Sequence, residues 1–354
     1  MNANFNNQKL GLIIFLLVSV LGFSQKESAN WYFGDFAGLN FNNGNPVPLV
    51  DGNLITSEGC ATISDFNGNL LFYSDGVTVW DKRHEVMPNG QGLLGHSSST
   101  ESALIVPKPG STSIYYLFTI DKPSYFLTDG LPIDGVNYSE IDMSLNEGFG
   151  DITENSKNRH LITYDPSDAL QNEYKSSEKI TAVVHSNGSS IWVITQFMNK
   201  FYSFLVDVNG VNESPVVSIV PQTVRPIFND DGVNLTAIGY LKVSPNGKKI
   251  AIAHSSTIAS NPKDSTPRKS GKVLLYDFDD AEGTVTNEQM IIDRTYPYGV
   301  EFSPNSKLLY LTDNVYGDNG LLDGSNLFQY NLESNDIPGS KKLIRQQIMQ
   351  EHYN

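Results

Sequence analysis

The residues of this sequence whose types could do chemistry lie in polar segments between short apolar ones. His96 and Glu101 flank a Ser/Thr run in "GHSSSTES", which places an imidazole, a carboxylate and several hydroxyls in one segment. Such a set could bind a polar ligand. The alternative is a turn in which these side chains hydrogen-bond to their own backbone, as short polar side chains commonly do.

Two further segments are acidic. Asp318, Asn319 and Asp323 in "GDNGLLDG" could offer oxygen ligands to calcium, although their spacing is not that of an EF-hand loop. Asp230 and Asp231 form a pair that could bind a ligand or could simply be a solvated loop. Calcium is therefore the candidate metal, and no other cofactor is predicted.

Aromatic residues in the polar segments could stack on sugar rings. Tyr125 and Tyr316 are the candidates for ligand contact, and Phe126 and Trp80 share their character. The alternative is packing within a core, which buries large apolar area in any fold.

Signals of catalysis are weak. The sequence contains no nucleophile elbow, no phosphate-binding loop and no dinucleotide fingerprint, and His84–Glu85 lacks the second histidine of a zinc protease. Cys60 lies in the apolar run "CATIS" with no paired histidine, which favours a small core residue over a nucleophile. Carboxylates from distant segments could still assemble into a glycoside-cleaving pair, so an enzyme remains the alternative.

Composition favours β structure and argues against nucleic-acid binding. The 354 residues include 29 glycines and 11% aromatic residues, and only 18% are charged. Aromatic residues suit strands, and glycine suits tight turns. A net charge of −15 with no basic stripe excludes a phosphate-backbone partner.

The N-terminus has the pattern of a secretory signal peptide. Lys9 precedes the apolar run "LGLIIFLLVSVLGF", which is too short to span a bilayer comfortably, and small residues follow it. We expect cleavage after Ser24, a secreted protein, and no membrane span after cleavage. The predicted division is 1–24 signal peptide, 25–345 globular domain, and 346–354 the start of a further unit or a linker.

A repeated phrase fixes the predicted fold. "HSNGSS", "SPNGKK" and "SPNSKL" recur at equal intervals, with Gly188, Gly247 and Ser306 at the same place, and an earlier copy carries Gly68. In each unit an apolar strand, a tight turn, a second apolar strand, a third strand and a polar fourth segment follow in order. Four strands per unit predict an all-β propeller with five full blades and a partial N-terminal blade made of strands two to four.

Several phrases resemble a known family. "NWYFGDFAGLNFNNGNPVPL", "SDGVTVWDKRHEVMPNG" and "YGVEFSPNSKLLYLTD" resemble the WD-like N-terminal propellers of large secreted Bacteroidetes cell-surface proteins, a group linked to gliding motility and type IX secretion. The resemblance implies a seven-bladed parent, with a gap here where the seventh blade would close the ring. It also implies a binding or scaffold role at the cell surface.

Loop lengths predict where a ligand would bind. The segments 120–136, 255–271 and 314–325 are long and connect second to third strands, so they should share one end of the disc, opposite Gly68, Gly188 and Gly247. We therefore expect a non-catalytic module that binds a protein or glycan on the long-loop end. The alternative is a propeller hydrolase or lyase that acts on a polysaccharide or small metabolite.

Overall fold

The computed structural model describes residues 26–123, 132–221, 224, 236–256, 269–317 and 321–348. The strands in these residues form six antiparallel sheets that follow one another along the chain. The first strands of neighbouring sheets lie side by side at the centre, so the sheets are the blades of a propeller. The predicted all-β propeller is confirmed.

Blades 1 and 2 contain the first seven strands. Blade 1 has three strands: β1 (Asn30–Phe33), β2 (Ala37–Asn40) and β3 (Val47–Leu49). Blade 2 has four: β4 (Ala61–Ser64), β5 (Leu70–Ser74), β6 (Thr78–Asp81) and β7 (Val86–Gln91). In blade 1, β1 lies beside β4, where the Tyr32 amide donates to Thr62 Oγ1 at 3.0 Å. The prediction of a partial first blade is thus confirmed in the described residues.

Blades 3 and 4 each carry a divided outer strand. Blade 3 consists of β8 (Ala103–Pro107), β9 (Ile114–Ile120), β10 (Val136–Asp142), β11 (Asp151–Ile152) and β12 (Arg159–Leu161), and both β11 and β12 pair with β10. A short helix, α1 (Ala169–Tyr174), precedes blade 4. Blade 4 consists of β13 (Ile180–Val184), β14 (Ile191–Phe197), β15 (Lys200–Asp207), β16 (Gly210–Val211) and β17 (Val216–Ile219).

Blades 5 and 6 have four strands each. Blade 5 consists of β18 (Leu241–Val243), β19 (Lys249–His254), β20 (Gly271–Asp279) and β21 (Thr284–Thr295). Blade 6 consists of β22 (Pro297–Phe302), β23 (Leu308–Tyr316), β24 (Leu322–Asn331) and β25 (Lys342–Ile348). β25 pairs with β24 and runs past the boundary predicted at residue 345. The seventh blade of a longer parent stays a prediction.

The repeated phrase forms the hairpin between the first two strands of a blade. In each turn the amide of Gly68, Gly188, Gly247 or Ser306 donates to the carbonyl three residues earlier, at 2.8–2.9 Å. These four residues have φ between 59° and 87°. The preceding asparagines are not left-handed. Instead, Asn187, Asn246 and Asn305 accept hydrogen bonds from following amides through their side-chain oxygens. Only the glycine position therefore needs the left-handed backbone.

The core is divided into layers between neighbouring blades. On β19, Ile250 and Ile252 pack towards blade 4, whereas Ala251 and Ala253 pack towards blade 6, and all four are fully buried. Because both faces of such a strand are covered, its sequence is continuously apolar rather than alternating. Aromatic contacts join the layers, as in the edge-to-face pair Phe201–Tyr276 at 4.9 Å.

Strand pairing confirms the predicted distribution of turns and loops for the described residues. In blade 3, Pro107 pairs with Tyr115 at the turn end of β9, and Ile120 pairs with Val136 at the opposite end. The prediction of a long loop over residues 314–325 is wrong. Strands β23 and β24 extend until Tyr316 pairs with Leu322, which leaves a much shorter connection. Among the described residues, no helix combines the length and apolar character that crossing a bilayer requires.

Candidate functional site

Three glutamates meet at the centre of the ring. They are Glu58 in blade 2, Glu101 in blade 3 and Glu178 in blade 4. Each glutamate stands the same number of residues before the first residue of its blade's hairpin turn, so the three occupy equivalent positions. Since the innermost strands of neighbouring blades lie side by side, these positions converge at the long-loop end. We call these glutamates, with Thr100, Lys179, Lys242 and Tyr298, the central cluster.

Thr100 links two of the carboxylates. Glu178 Oε2 accepts from the Thr100 amide at 3.0 Å and from its hydroxyl at 2.9 Å. The same hydroxyl lies 3.5 Å from Glu58 Oε2, and the Gly239 amide donates to it at 3.3 Å. One threonine thus connects the entries to blades 2, 3, 4 and 5.

Glu101 forms the ion pair of the cluster. Its Oε1 accepts from Lys242 Nζ at 2.8 Å, and its Oε2 accepts from the amides of Ile180 and Leu241 at 3.1 and 3.3 Å. Burial raises the pKa of Glu101, and Lys242 offsets only part of that shift. Burial alone would lower the pKa of Lys242, but the Glu101 carboxylate outweighs it and the net shift is upward.

Lys179 is fully buried beside Glu178. Its ammonium donates to the carbonyls of Thr236 (2.8 Å) and Ala237. Burial lowers the pKa of Lys179 and raises that of Glu178, because each charged form loses its hydration. Buried charges of this kind persist only where hydrogen bonds replace water, so these residues hold blades 3, 4 and 5 in register.

Glu58 is the carboxylate of the cluster that is only half-buried. It accepts from Tyr298 at 2.9 Å and from Ser98 Oγ at 3.0 Å. Burial raises the pKa of Tyr298, and the neighbouring Glu58 charge acts in the same direction, so the phenol stays protonated and donates. The Tyr298 ring meets the edge of Tyr240 at a centroid distance of 5.6 Å.

A cavity of about 250 Å³ adjoins the central cluster. Blade 5 contributes Lys242 on β18 and Tyr240 just before it, and blade 6 contributes Glu301, Tyr310 and Leu327. The Lys242 ammonium lies 4.8 Å from the centroid of the Tyr240 ring. We call this space, which residues of blades 5 and 6 line, the central cavity; it combines aromatic rings, an apolar wall and charged groups.

The sequence-predicted residues do not form one site. Glu101 is in the central cluster, whereas His96 lies in the preceding turn, where its Nδ1 accepts from the Ser98 amide at 3.0 Å. Tyr316 contacts Tyr296 edge-to-face at 4.9 Å and lines a separate cavity of about 330 Å³ with Asp313 and Lys269. Five of the predicted residues lie outside the described ones: Tyr125, Asp230, Asp231, Asp318 and Asn319.

The remaining candidates, for a metal site and for aromatic stacking, do not form a site among the described residues. Asp323 lies on β24 with its side chain exposed, rather than in a loop as predicted. Within the described ranges, no group of three or more His, Cys, Asp or Glu residues could hold a metal ion. Trp80 stacks on Tyr73 at 5.4 Å, which is packing, as the alternative interpretation had it. Phe126 lies outside the described residues.

Sequence reasoning missed most of the central cluster. The signal was a glutamate that precedes the first strand in "SEGCATIS", "TESALIVP" and "SEKITAVV". Of these three, Glu101 is the sequence candidate, because it and His96 flank a Ser/Thr run. Lys242 and Tyr298 carried no comparable signal, because each meets its partner only after the ring has formed.

Comparisons with known proteins leave the family open. No protein-family model matches the chain, and no curated protein matches it. A provisionally named 6-phosphogluconolactonase from Bacteroides uniformis ATCC 8492 is 12% identical over 88% of this chain and 78% of its own, with a TM-score of 0.40. A second such protein, from Bacteroides fragilis NCTC 9343, is 14% identical over 88% and 90%, with a TM-score of 0.38. A family PL25 ulvan lyase is 10% identical over 80% and 67%, with a TM-score of 0.39. These values are too low to support an inference about activity.

Proposed function

We propose that this propeller binds a small hydroxyl-rich ligand, of the size of one sugar ring, in the central cavity. The observation that carries the proposal is the pairing of Tyr240 and Tyr310 with Lys242 and Glu301 around about 250 Å³. Small-molecule pockets have apolar and aromatic walls with a few polar groups that orient the ligand. At this volume, just below the usual range of roughly 300–1,000 Å³, one ring fits rather than a chain.

The charges of the cavity favour a neutral polyol over an anion. Lys242 is already neutralised by Glu101 at 2.8 Å, so its remaining capacity is to donate a hydrogen bond rather than to supply net positive charge. Glu301 is exposed and can accept from hydroxyls. A sugar ring has an apolar face for the tyrosines and a hydroxyl edge for these two groups.

The setting of this function rests on the sequence. The predicted signal peptide, residues 1–24, supports secretion, and the resemblance to Bacteroidetes surface propellers supports attachment of a longer parent to the cell surface. Both remain part of the proposal, as do the link to gliding and type IX secretion and a glycan or protein ligand at the long-loop end. N-terminal sequencing of protein exported by its native host would test the predicted cleavage after Ser24.

The second candidate function is glycoside or polysaccharide cleavage. It is favoured by one observation: Glu58 and Glu178 both contact the Thr100 hydroxyl, at 3.5 and 2.9 Å. Paired carboxylates are the catalytic groups of most glycoside hydrolases, and a raised pKa such as that of Glu178 suits a general acid. Against it, Glu178 is fully buried and already bonded to Thr100.

Ligand-observed NMR with a panel of monosaccharides would test the binding proposal. We expect saturable binding that Tyr310→Ala and Glu301→Ala each weaken about tenfold or more, because each removes a direct contact. Tyr316→Ala is the matched control, since Tyr316 lines the separate cavity. Absence of binding to every monosaccharide, or equal loss in the control, would contradict the proposal.

A parallel assay separates the two candidates. The full-length protein is incubated with a panel of polysaccharides, and new reducing ends or unsaturated products are measured. We expect none. Turnover that Glu58→Gln abolishes while the variant remains folded would replace the binding proposal with the catalytic one.

A further inference from the structure

A third cavity lies at the opposite end of the disc from the central cluster. It has a volume of about 590 Å³ and sits between the hairpin turns of blades 2 and 3. Blade 2 contributes the turn that contains Asp65 and Phe66, and the segment before β1 contributes Glu27. We call it the turn-end cavity. It is independent of the proposed sugar site, with which it shares no lining residue.

The wall of the turn-end cavity is apolar and fixed. Leu71, Met143 and Tyr115 belong to the packed layer between blades 2 and 3, and the Tyr115 ring meets buried Phe72 edge-to-face at 5.6 Å. Phe66 stands at the rim with 76% of its surface exposed. Its ring is therefore free to contact a ligand that enters the cavity.

Two carboxylates line the same cavity. Asp65 accepts at 2.9 Å from the amides of Asn67 and Asn69 and from the Asn69 side chain, which fixes its position. Burial alone would raise the pKa of Asp65, but these hydrogen bonds outweigh it and lower the pKa, so the group stays ionised. Within the described part of the chain, neither Asp65 nor Glu27 forms an ion pair with Lys, Arg or His.

Glu27 has an unused acceptor. Its Oε2 is shielded from solvent and has no hydrogen-bond partner among the described residues. Burial raises the pKa of Tyr115, and the Asp65 and Glu27 carboxylates act in the same direction, so both negative groups lie near its phenol. A buried carboxylate oxygen with no donor is costly, and a ligand that donates to it would relieve that cost.

We propose that the turn-end cavity binds an organic cation with an apolar body, namely an alkylammonium group. The ammonium would donate to Glu27 and lie in the field of Asp65, and its alkyl chain would lie against Leu71 and Met143. Phe66 would cover the cation with its ring face, an arrangement that attracts positive charge. The net charge of −15 favours approach of a cation from a distance. The source would be a free amine or a lysine side chain of a peptide.

Methyl NMR of the full-length protein labelled at its methionines tests this proposal locally, since Met143 lines the cavity. The probes are n-butylamine, its neutral counterpart butan-1-ol, and N-acetyl-lysine methylamide. We expect saturable shifts of the Met143 methyl with both amines and at least roughly tenfold weaker binding of the alcohol, because only a cation forms charge-assisted bonds. Tighter binding of the lysine derivative than of butylamine would assign a peptide source, and equal binding a free amine.

Variants complete the test. Glu27→Gln should weaken butylamine binding about tenfold, and Phe66→Leu roughly threefold, because the first removes the charge and the second the ring face. Glu173→Gln is the matched control, because Glu173 is exposed on α1. The proposal is overturned if butan-1-ol binds as tightly as butylamine, if no probe shifts Met143, or if Glu27→Gln binds butylamine like the control. Circular dichroism and thermal unfolding establish that the variants fold.

Discussion

Lys242 Nζ lies 2.8 Å from Glu101 Oε1, although Glu101 precedes the first strand of blade 3 and Lys242 belongs to the first strand of blade 5. The pair therefore reaches across the entry to blade 4. Glu101 also accepts from the amides of Ile180 and Leu241, so one side chain bonds to the innermost strands of two other blades. Glu101 can make these bonds only when blades 3, 4 and 5 are packed in order around the ring.

Removal of the Glu101 charge should destabilise the whole propeller. Glu101→Gln leaves the ammonium of Lys242, a side chain that is only 28% exposed, without its counter-ion. Loss of one partner of a buried pair costs about 3 kcal/mol or more. We expect a fall of this size in the free energy of unfolding, measured by urea denaturation.

Two variants give this prediction its controls. Glu85→Gln removes a carboxylate from an exposed pair with Arg83 and should have little effect. The double variant Glu101→Leu with Lys242→Met should lose less stability than Glu101→Leu and Lys242→Met lose in total as single variants, because neither charge is then left alone. Strictly additive losses would show that the two groups do not interact.

The propeller could be predicted because each blade is formed by one contiguous stretch of the sequence. Short apolar strands, fixed turns and their repetition are all signals within a few tens of residues, so the five full blades and the partial first blade followed from them. The turn chemistry was predicted less well. The asparagines act as side-chain acceptors, and only Gly188 and its equivalents need the left-handed backbone.

The central cluster could not be assembled in the same way. Glu101 and Lys242 are separated by 141 residues, and Glu58 and Tyr298 by 240. No local pattern encodes such contacts, because they depend on how far each blade rotates about the axis. The segment 314–325 shows the opposite failure: its polar residues predicted a loop, but pairing across β23 and β24 holds much of it extended.

His254 should make the protein sensitive to acid. Its side chain is 2% exposed; burial lowers its pKa well below 6.5, and the Lys179 and Lys272 charges add to that shift. The folded state therefore keeps His254 neutral, whereas the unfolded chain binds a proton below about pH 6.5. Stability from this group is complete above that pH and is lost as the pH falls, with a slope of up to about 1.4 kcal/mol per pH unit.

The variant His254→Phe isolates that contribution. It keeps a ring of similar size but cannot take up a proton. The unfolding free energy of the wild type, measured relative to that of the variant, should therefore fall steadily from pH 7 to pH 5. Urea unfolding at four pH values measures it. Parallel curves for the two proteins would show that His254 protonates equally in both states.

Two turn glycines with similar backbones should respond differently to alanine. Gly188 and Gly247 have φ of 74° and 70°, so a side chain is strained at either place by about 1 kcal/mol. A Cβ at 188 would meet nothing within 4 Å, whereas one at 247 would lie 2.9 Å from a carboxylate oxygen of Asp280. We expect Gly247→Ala to lower the melting temperature more than Gly188→Ala. An equal loss would mean that Asp280 moves aside without cost.

Cys60 should be an unreactive thiol despite being the only cysteine of the chain. Its Sγ–H points to the Tyr32 carbonyl at 3.4 Å, and burial, with a contribution from the Asp75 charge, raises its pKa to about 11. Because the thiolate is the reacting form, alkylation by iodoacetamide at pH 8 should be roughly a hundredfold slower in the folded protein than in urea.

The matched control is Ser57→Cys in a Cys60→Ser background, since Ser57 is exposed three residues away. Mass spectrometry at timed intervals gives both rates. Fast alkylation of Cys60 in the native state, at the rate of the control thiol, would show that the strand edge between β1 and β4 opens readily.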